Sequence, residues 1–264
     1  MEAPPSKPGL TLGATRELLL PATVLLCFAL YYAGHQPFAV VLTCAAPMLL
    51  LYVLAPQWAA SSMLSFDRDA VRLLAAGKSA ALWMRYRTAT GMRLFSPPAV
   101  RAERRAMVLA ELGRTASARG AYKDAIDEYG AAVPLRVMLG YAHASFALGD
   151  DLAAVPMYRK LLATAGTLPG VERNLAQALV RLGQDLSEAL PMLARAEREN
   201  HDPERALELK LVRALAYAKL GEKIQAELLL SEAQAAQSTA AEALRVALRE
   251  AMAMDARVRP HSPL

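Results

Sequence analysis

The chain has 264 residues, 55% of them hydrophobic and 21% charged, with a formal net charge of +5 at pH 7, and its mean hydropathy is positive at +0.20. That length exceeds one typical domain, and that apolar content is high for a wholly water-soluble chain, so part of it reads as membrane-embedded. With two cysteines and four scattered histidines, neither a disulfide framework nor a clustered metal site organises the chain.

In chain order, residues 1–17 form a short tail carrying Lys7 and Arg16. Residues 18–34 and 38–55 are two runs without a charged side chain, separated by Gly34-His35-Gln36-Pro37. At 1.5 Å per residue each spans about 26 Å, slightly less than a hydrocarbon core of about 30 Å. Pro56, Gln57 and Trp58 extend the second run toward the interface, where Tyr31, Tyr32 and Trp58 are the aromatics expected. A cleaved signal sequence fits poorly, because Glu17 abuts the first run and a second run comes at once after it. A transmembrane hairpin over residues 18–55 is therefore predicted, with a buried soluble hairpin as the alternative. Cys27 and Cys44 read as small apolar packing residues, and with no Asp, Glu, Lys or Arg at membrane depth the hairpin reads as an anchor.

The positive charge is local. Residues 57–105 hold Arg68, Arg72, Lys78, Arg85, Arg87, Arg93, Arg101, Arg104 and Arg105 against Asp67, Asp69 and Glu103, whereas residues 106–250 hold 17 basic and 19 acidic side chains. The basic balance therefore does not point to nucleic acid. It points to a cytoplasmic juxtamembrane segment, and Lys7 and Arg16 put the amino terminus on the same side. Arg68, Arg72, Lys78, Arg85 and Arg87 are the candidates for contact with an anionic membrane surface. Residues 68–86 read equally as another helix of the carboxyl-terminal array, since Leu73, Leu74, Leu82, Trp83 and Met84 suit either environment. Ser96-Pro97-Pro98 interrupts helical structure, closing a basic segment over 56–98 and opening a helical array over 99–258, with 259–264 as a tail.

Within the array, residues 106–233 repeat about every 34 residues. Leu148-Gly149 and Leu182-Gly183 lie 34 residues apart, followed by Ala154-Val155-Pro156-Met157 and Ala189-Leu190-Pro191-Met192. Four copies of a pattern of small residues, a glycine and a large apolar residue are read: Gly113, Gly120, Ala125, Tyr129 and Ala132; Ala142, Gly149, Ala154, Tyr158 and Leu161; Ala176, Gly183, Ala189, Leu193 and Ala196; and Ala214, Tyr217, Gly221, Ala226, Leu230 and Ala233. In this pattern the chain resembles the tetratricopeptide repeat family, although the family's usual Trp is absent. The resemblance implies an all-α fold: after the transmembrane hairpin, an α-solenoid of about four helix pairs plus a capping helix over 239–257. Small residues let the paired helices cross closely, and the glycine ends the first helix of each pair. The third copy runs one residue late after Gly183, which implies a longer turn. The short interval from Gly120 to Gly149 implies a short first hairpin.

The resemblance also implies a concave groove that takes a segment of another protein. Carried over residue by residue, its lining is Met107, Ala110, Arg114, Ser117 and Ala118; Arg136, Leu139, His143, Phe146 and Ala147; Gly170, Arg173, Gln177, Val180 and Arg181; and Glu208, Leu211, Leu215, Ala218 and Lys219. Arg114, Arg136, Arg173 and Arg181 then favour an acidic partner, with Leu139 and Phe146 as apolar anchors. The chaperone-tail clamp of the family is not reproduced.

No phosphate-cradling glycine loop or metal-ligand spacing occurs, so no catalysis, cofactor or metal is expected. Asp150-Asp151 and the carboxylates of 124–128 read as helix-start charges. Two functions are compatible with these features. One is a membrane-anchored interaction scaffold binding a partner at the cytoplasmic face. The other is an accessory subunit of a membrane enzyme or transporter, recognised through its hairpin by way of Ala22, Ala29, Ala33, Ala39, Ala45 and Ala46. The Ala, Leu and Arg richness is similar to that of bacterial proteins, so the expected location is a bacterial inner membrane with both termini cytoplasmic.

Overall fold

The computed structural model describes residues 13–33, 38–233 and 246–251. The amino-terminal tail, the turn 34–37, the side chain of Cys44 and most of the expected capping helix lie outside the described residues. Everything regular that is described is helix. The chain divides into two compact units, Met1–Gly140 and Tyr141–Leu264.

Unit 1 opens with α1 (Gly13–Phe28), continued by a wider π-type turn over Ala29–Ala33 and packed on α2 (Phe38–Ala75). At 1.5 Å per residue the 38-residue α2 is about 57 Å long. It passes through Pro56 without ending, because Ala59, Phe66 and Ala70 beyond it are buried where the next helices pack on α2. Ala45–Ala75 is long and apolar enough to cross a membrane, with a mean hydropathy of 1.3, whereas the apolar stretch Pro21–Tyr32 is shorter. After α2 come α3 (Ser79–Thr88), α4 (Thr90–Phe95), α5 (Pro98–Glu111), α6 (Thr115–Tyr129) and the first half of α7 (Leu135–Ala147). Unit 2 continues with α8 (Asp151–Ala165), α9 (Pro169–Leu182), α10 (Leu186–Glu199), α11 (Pro203–Lys219) and α12 (Lys223–Ala233).

A single kind of turn joins the helices of each hairpin. Gly77, Gly113, Gly149, Gly183 and Gly221 each have φ between 64° and 81°. In each, the glycine N–H donates to the carbonyl three residues back and the next N–H to the carbonyl five residues before it, as in Gly113 to Ala110 at 2.9 Å and Arg114 to Leu109 at 3.0 Å. This is the Schellman closure, which needs a left-handed residue that only glycine supplies without a Cβ penalty. Seven residues before the glycine stands a buried alanine in every case: Ala70, Ala106, Ala142, Ala176 and Ala214. After it, a small or apolar residue and then a larger one are buried, as in Leu82 and Tyr86, Ala118 and Tyr122, and Ala154 and Tyr158. The turn after Gly183 is one residue longer, as its sequence predicts, and Asp185 occupies the extra left-handed position at φ 45°.

Two expectations are corrected. The first copy is hinged at Gly113, not Gly120: Gly120 lies inside α6 with φ in the ordinary range, and the carboxylates of 124–128 fall in the last turns of α6, not at its start. The repeat also begins one hairpin earlier. α2 and α3 close on Gly77 around Phe66, Ala70, Leu82, Tyr86 and Met92, a cluster that reaches Val108 of α5, so Ser96-Pro97-Pro98 breaks a helix without ending the packing. The described residues thus contain five such hairpins, not four, with the basic segment 68–86 inside the first. Close approach makes further demands on unit 1, because a Cβ on Gly140 would lie 2.2 Å from the Tyr122 ring.

The register is tested by paired substitutions. G120A places a methyl group in open space within a helix and should raise stability by about 0.5–1 kcal/mol, whereas G113V at φ +71° should lower it by about 1–2 kcal/mol or more. Denaturant unfolding of the full chain in detergent measures both. Equal effects at the two sites would return the hinge to Gly120.

Candidate functional site

The predicted groove cations separate by what they touch. In unit 1, Glu103 of α5 is buried and accepts hydrogen bonds from the Tyr129 hydroxyl at 2.8 Å and from both Nε and Nη2 of Arg136, while Arg104 Nη1 lies 2.7 Å away. Arg104 in turn binds Asp67 of α2 through two parallel bonds of 2.7 Å. Burial alone raises a carboxyl pKa, but the hydrogen bonds from Arg136 and Tyr129 and the charges of Arg104 and Arg136 outweigh it and hold Glu103 below the ordinary value. Burial and the bond to Glu103 push the Tyr129 phenol up to about 12. Arg136 is therefore a structural tie among α5, α6 and α7, not a free groove cation. Arg114 lies in the exposed turn before α6 rather than on a helix face, and Leu139 is half-buried on α7.

Unit 2 gathers the rest. The Arg181 guanidinium sits 4.0 Å above the Phe146 ring centroid and pairs with Asp151 at 2.7 Å. Phe146 and His143 both lean on the ring of Tyr158, at 6.3 and 5.8 Å, and the Tyr158 hydroxyl accepts from Asn174 at 3.4 Å. Desolvation and the nearby charge of Arg173 lower the pKa of His143, which remains partly exposed. Arg173, Gln177 and Arg181 recur every four residues along α9 and so share one face. Arg173 Nε donates to the side-chain carbonyl of Asn174 at 3.4 Å, and among the described residues no carboxylate is within salt-bridge distance of it. Lys219 does something else: its Nζ donates to the carbonyls of Val180 at 2.7 Å and Arg181 at 3.2 Å, closing the carboxyl end of α9. His143, Phe146, Arg173, Gln177 and Arg181 thus come together on α7 and α9 of unit 2. Sequence spacing missed Asp151, which reads as a helix-start charge yet is the buried counter-ion of Arg181.

Of the predicted membrane-surface cations, Arg85 is consumed by Asp69 at 2.6 Å and by the Ser65 hydroxyl at 2.6 Å. Arg68, Arg72, Lys78 and Arg87 are exposed.

No family model matches the chain, and no curated protein matches it. Among solved structures it is similar to the crystal structure of a putative kinesin light chain from Podosopora anserina with nearly identical TPR-like repeats, at 19% identity and a TM-score of 0.47, over 74% of this chain and 97% of that one. At that level the likeness contributes nothing to the assignment of function.

The Glu103 network makes unit 1 sensitive at both ends of the pH scale. The lowered pKa of Glu103 gives stability that is present above the unfolded carboxyl value, about 4.3, and is lost as pH falls through the folded one. The raised phenol of Tyr129 gives stability that is present below about 10 and is lost as pH rises toward about 12. In unfolding titrations Y129F should flatten the alkaline limb and weaken the acid limb only in part, because Arg136 and Arg104 still hold Glu103 down. An unchanged alkaline limb would mean that Tyr129 is not bound to Glu103.

Proposed function

We propose that this protein is a membrane-anchored protein-interaction scaffold whose α7–α9 surface takes a segment of a partner protein at the cytoplasmic face. The observation that carries the reading is the amphipathic platform in unit 2. Phe146 is held flat by Arg181 above and Tyr158 behind, with Arg173 and Gln177 along the same helix face. A fixed aromatic beside cations with spare N–H groups suits an acidic segment carrying one apolar side chain.

The anchor is supported by what α1 and α2 leave outside. Val24, Leu25, Phe28, Tyr32, Leu50 and Val53 are exposed, while Thr23 and Ala45 are buried. Of the small residues that would serve partner helices, Ala45 is buried while Ala22, Ala29 and Ala46 are exposed among large outward-facing aliphatics, and so broad an aliphatic surface suits lipid better than close recognition by partner helices. The accessory-subunit reading is therefore second.

Reversal of Arg136 is a poor probe, since it strands the buried Glu103; R173E and F146A are clean ones. A photo-crosslinker replacing Gln177 in native membranes should capture one protein through an acidic segment. R173E and F146A should each weaken that capture about tenfold; wild-type capture should fall as salt rises, and the loss caused by R173E should shrink with it. Undiminished capture by both variants would remove this face from consideration. Topology is checked separately, with reporter fusions near residue 10 and at residue 264 both expected to report cytoplasm. A periplasmic signal from either would overturn the two-span hairpin.

A further inference from the structure

The segment joining α4 to α5 carries an arrangement that neither the hairpin nor the α7–α9 surface uses. Arg101 Nη1 donates to the Arg93 carbonyl at 3.1 Å, and Arg93 Nη1 to the Arg87 carbonyl at 2.8 Å. The Arg93 guanidinium lies 5.9 Å from the Tyr86 ring centroid, and Arg105 is near enough to act on the same phenol. Among the described residues no carboxylate is within salt-bridge distance of Arg93, Arg101 or Arg105, whereas Arg85 and Arg104 beside them are both paired. Glu128 of α6 acts on Arg101 from beyond salt-bridge distance, and three guanidiniums without a carboxylate in contact repel one another, so an anion between them reverses the sign of that interaction. Burial raises the Tyr86 phenol in spite of these cations, so at neutral pH it remains a hydrogen-bond donor.

Next to the arginines in sequence lies an apolar cavity of about 530 Å³, walled by Tyr52, Pro56 and Met63 of α2 and by Phe95, Pro98 and Val100. Residues 93–101 thus carry an arginine at each end and the apolar wall between them. α4 is fixed at this level by Trp58: the Phe95 ring is 5.4 Å from the indole, and a Cβ on Gly91 would come within 2.9 Å of it. Trp58 follows the uncharged run of α2, so the cavity between Tyr52 and Met63 stands where headgroups would lie, and the arginines around Tyr86, which packs on Phe66, stand farther along α2. A free phosphate needs only the guanidiniums, and a phosphopeptide has no use for a greasy slot opening beside Tyr52 and Pro56.

We propose that Arg93, Arg101 and Arg105 together with this cavity hold one anionic phospholipid, its phosphate on the guanidiniums and an acyl chain against Met63, Phe95 and Val100. The proposal rests on the membrane-anchored reading and adds a lipid-selective site to it. The full-length protein is reconstituted into nanodiscs of phosphatidylcholine and phosphatidylglycerol in equal parts, released, and weighed with its retained lipid by native mass spectrometry. Wild type should retain phosphatidylglycerol selectively, and excess inorganic phosphate should not displace it. R101Q/R105Q should lower the selectivity about thirtyfold, and A60W, at Ala60 of α2 in the cavity wall, should also release the lipid. Circular dichroism checks that both variants keep their helicity, and R105Q alone alters only an exposed side chain if the double variant does not fold. Unchanged selectivity in the arginine variants, retention in A60W, displacement by inorganic phosphate, or tighter binding of a phosphoserine peptide than of the lipid each overturns the site. Resistance to alkaline carbonate extraction reads the anchor independently: an extractable wild type sinks the anchored reading, whereas an embedded protein without lipid preference sinks the site alone.

Discussion

A glycine in the left-handed region, closing one helix with two backbone hydrogen bonds and releasing the next within a residue or two, is the constraint on which the rest of this protein depends. So short a turn forces the two helices to run back along each other. At such close range the facing positions must be small, and the buried alanine seven residues before each glycine meets that demand. Farther along the second helix the gap widens, and Tyr86, Tyr122 and Tyr158 fill it at intervals of 36 residues. An L-residue at the glycine would cost about 1–2 kcal/mol in backbone strain alone. Asp185 tolerates the left-handed geometry because its short polar side chain is among the few that do.

The same close packing decides the fate of the charges. A cation on the first helix of a hairpin stands within reach of a carboxylate on a neighbouring helix. Arg104, Arg136 and Arg181 all find one there, and Lys219 finds helix-end carbonyls. Partly buried pairs of this kind fix register more than they add stability, since desolvation offsets much of the attraction. Recognition is left to cations with no carboxylate in salt-bridge distance among the described residues, and these include Arg173 in unit 2 and Arg93, Arg101 and Arg105 in unit 1.

α2 ties two environments into one rigid element. Its first half presents aliphatics outward, and its second half supplies Phe66 and Ala70 to the core of the first hairpin. An unbroken helix transmits orientation as well as position, so in the anchored reading the first repeat has a fixed height and tilt relative to the bilayer, with no flexible tether between them.

The sequence by itself determined the helical class, the pairing of helices, the hinges at Gly149, Gly183 and Gly221, and the longer third turn. These depend on local rules: left-handed backbone, small-residue spacing and apolar period. It did not reveal the hinges at Gly77 and Gly113, because Gly120 offered a competing glycine and the apolar run of α2 masked the first hairpin as membrane sequence. Nor did it separate structural from free cations. Arg136 and Arg173 both stand on the first helix of a hairpin and read alike as groove cations, and only the tertiary structure put Glu103 beside the first and, among the described residues, no carboxylate within salt-bridge distance of the second. Whether a charge is available is a property of what lies across the helix interface, more than 30 residues away in the chain for Arg136 and Glu103, and no spacing rule along one strand of sequence carries that information.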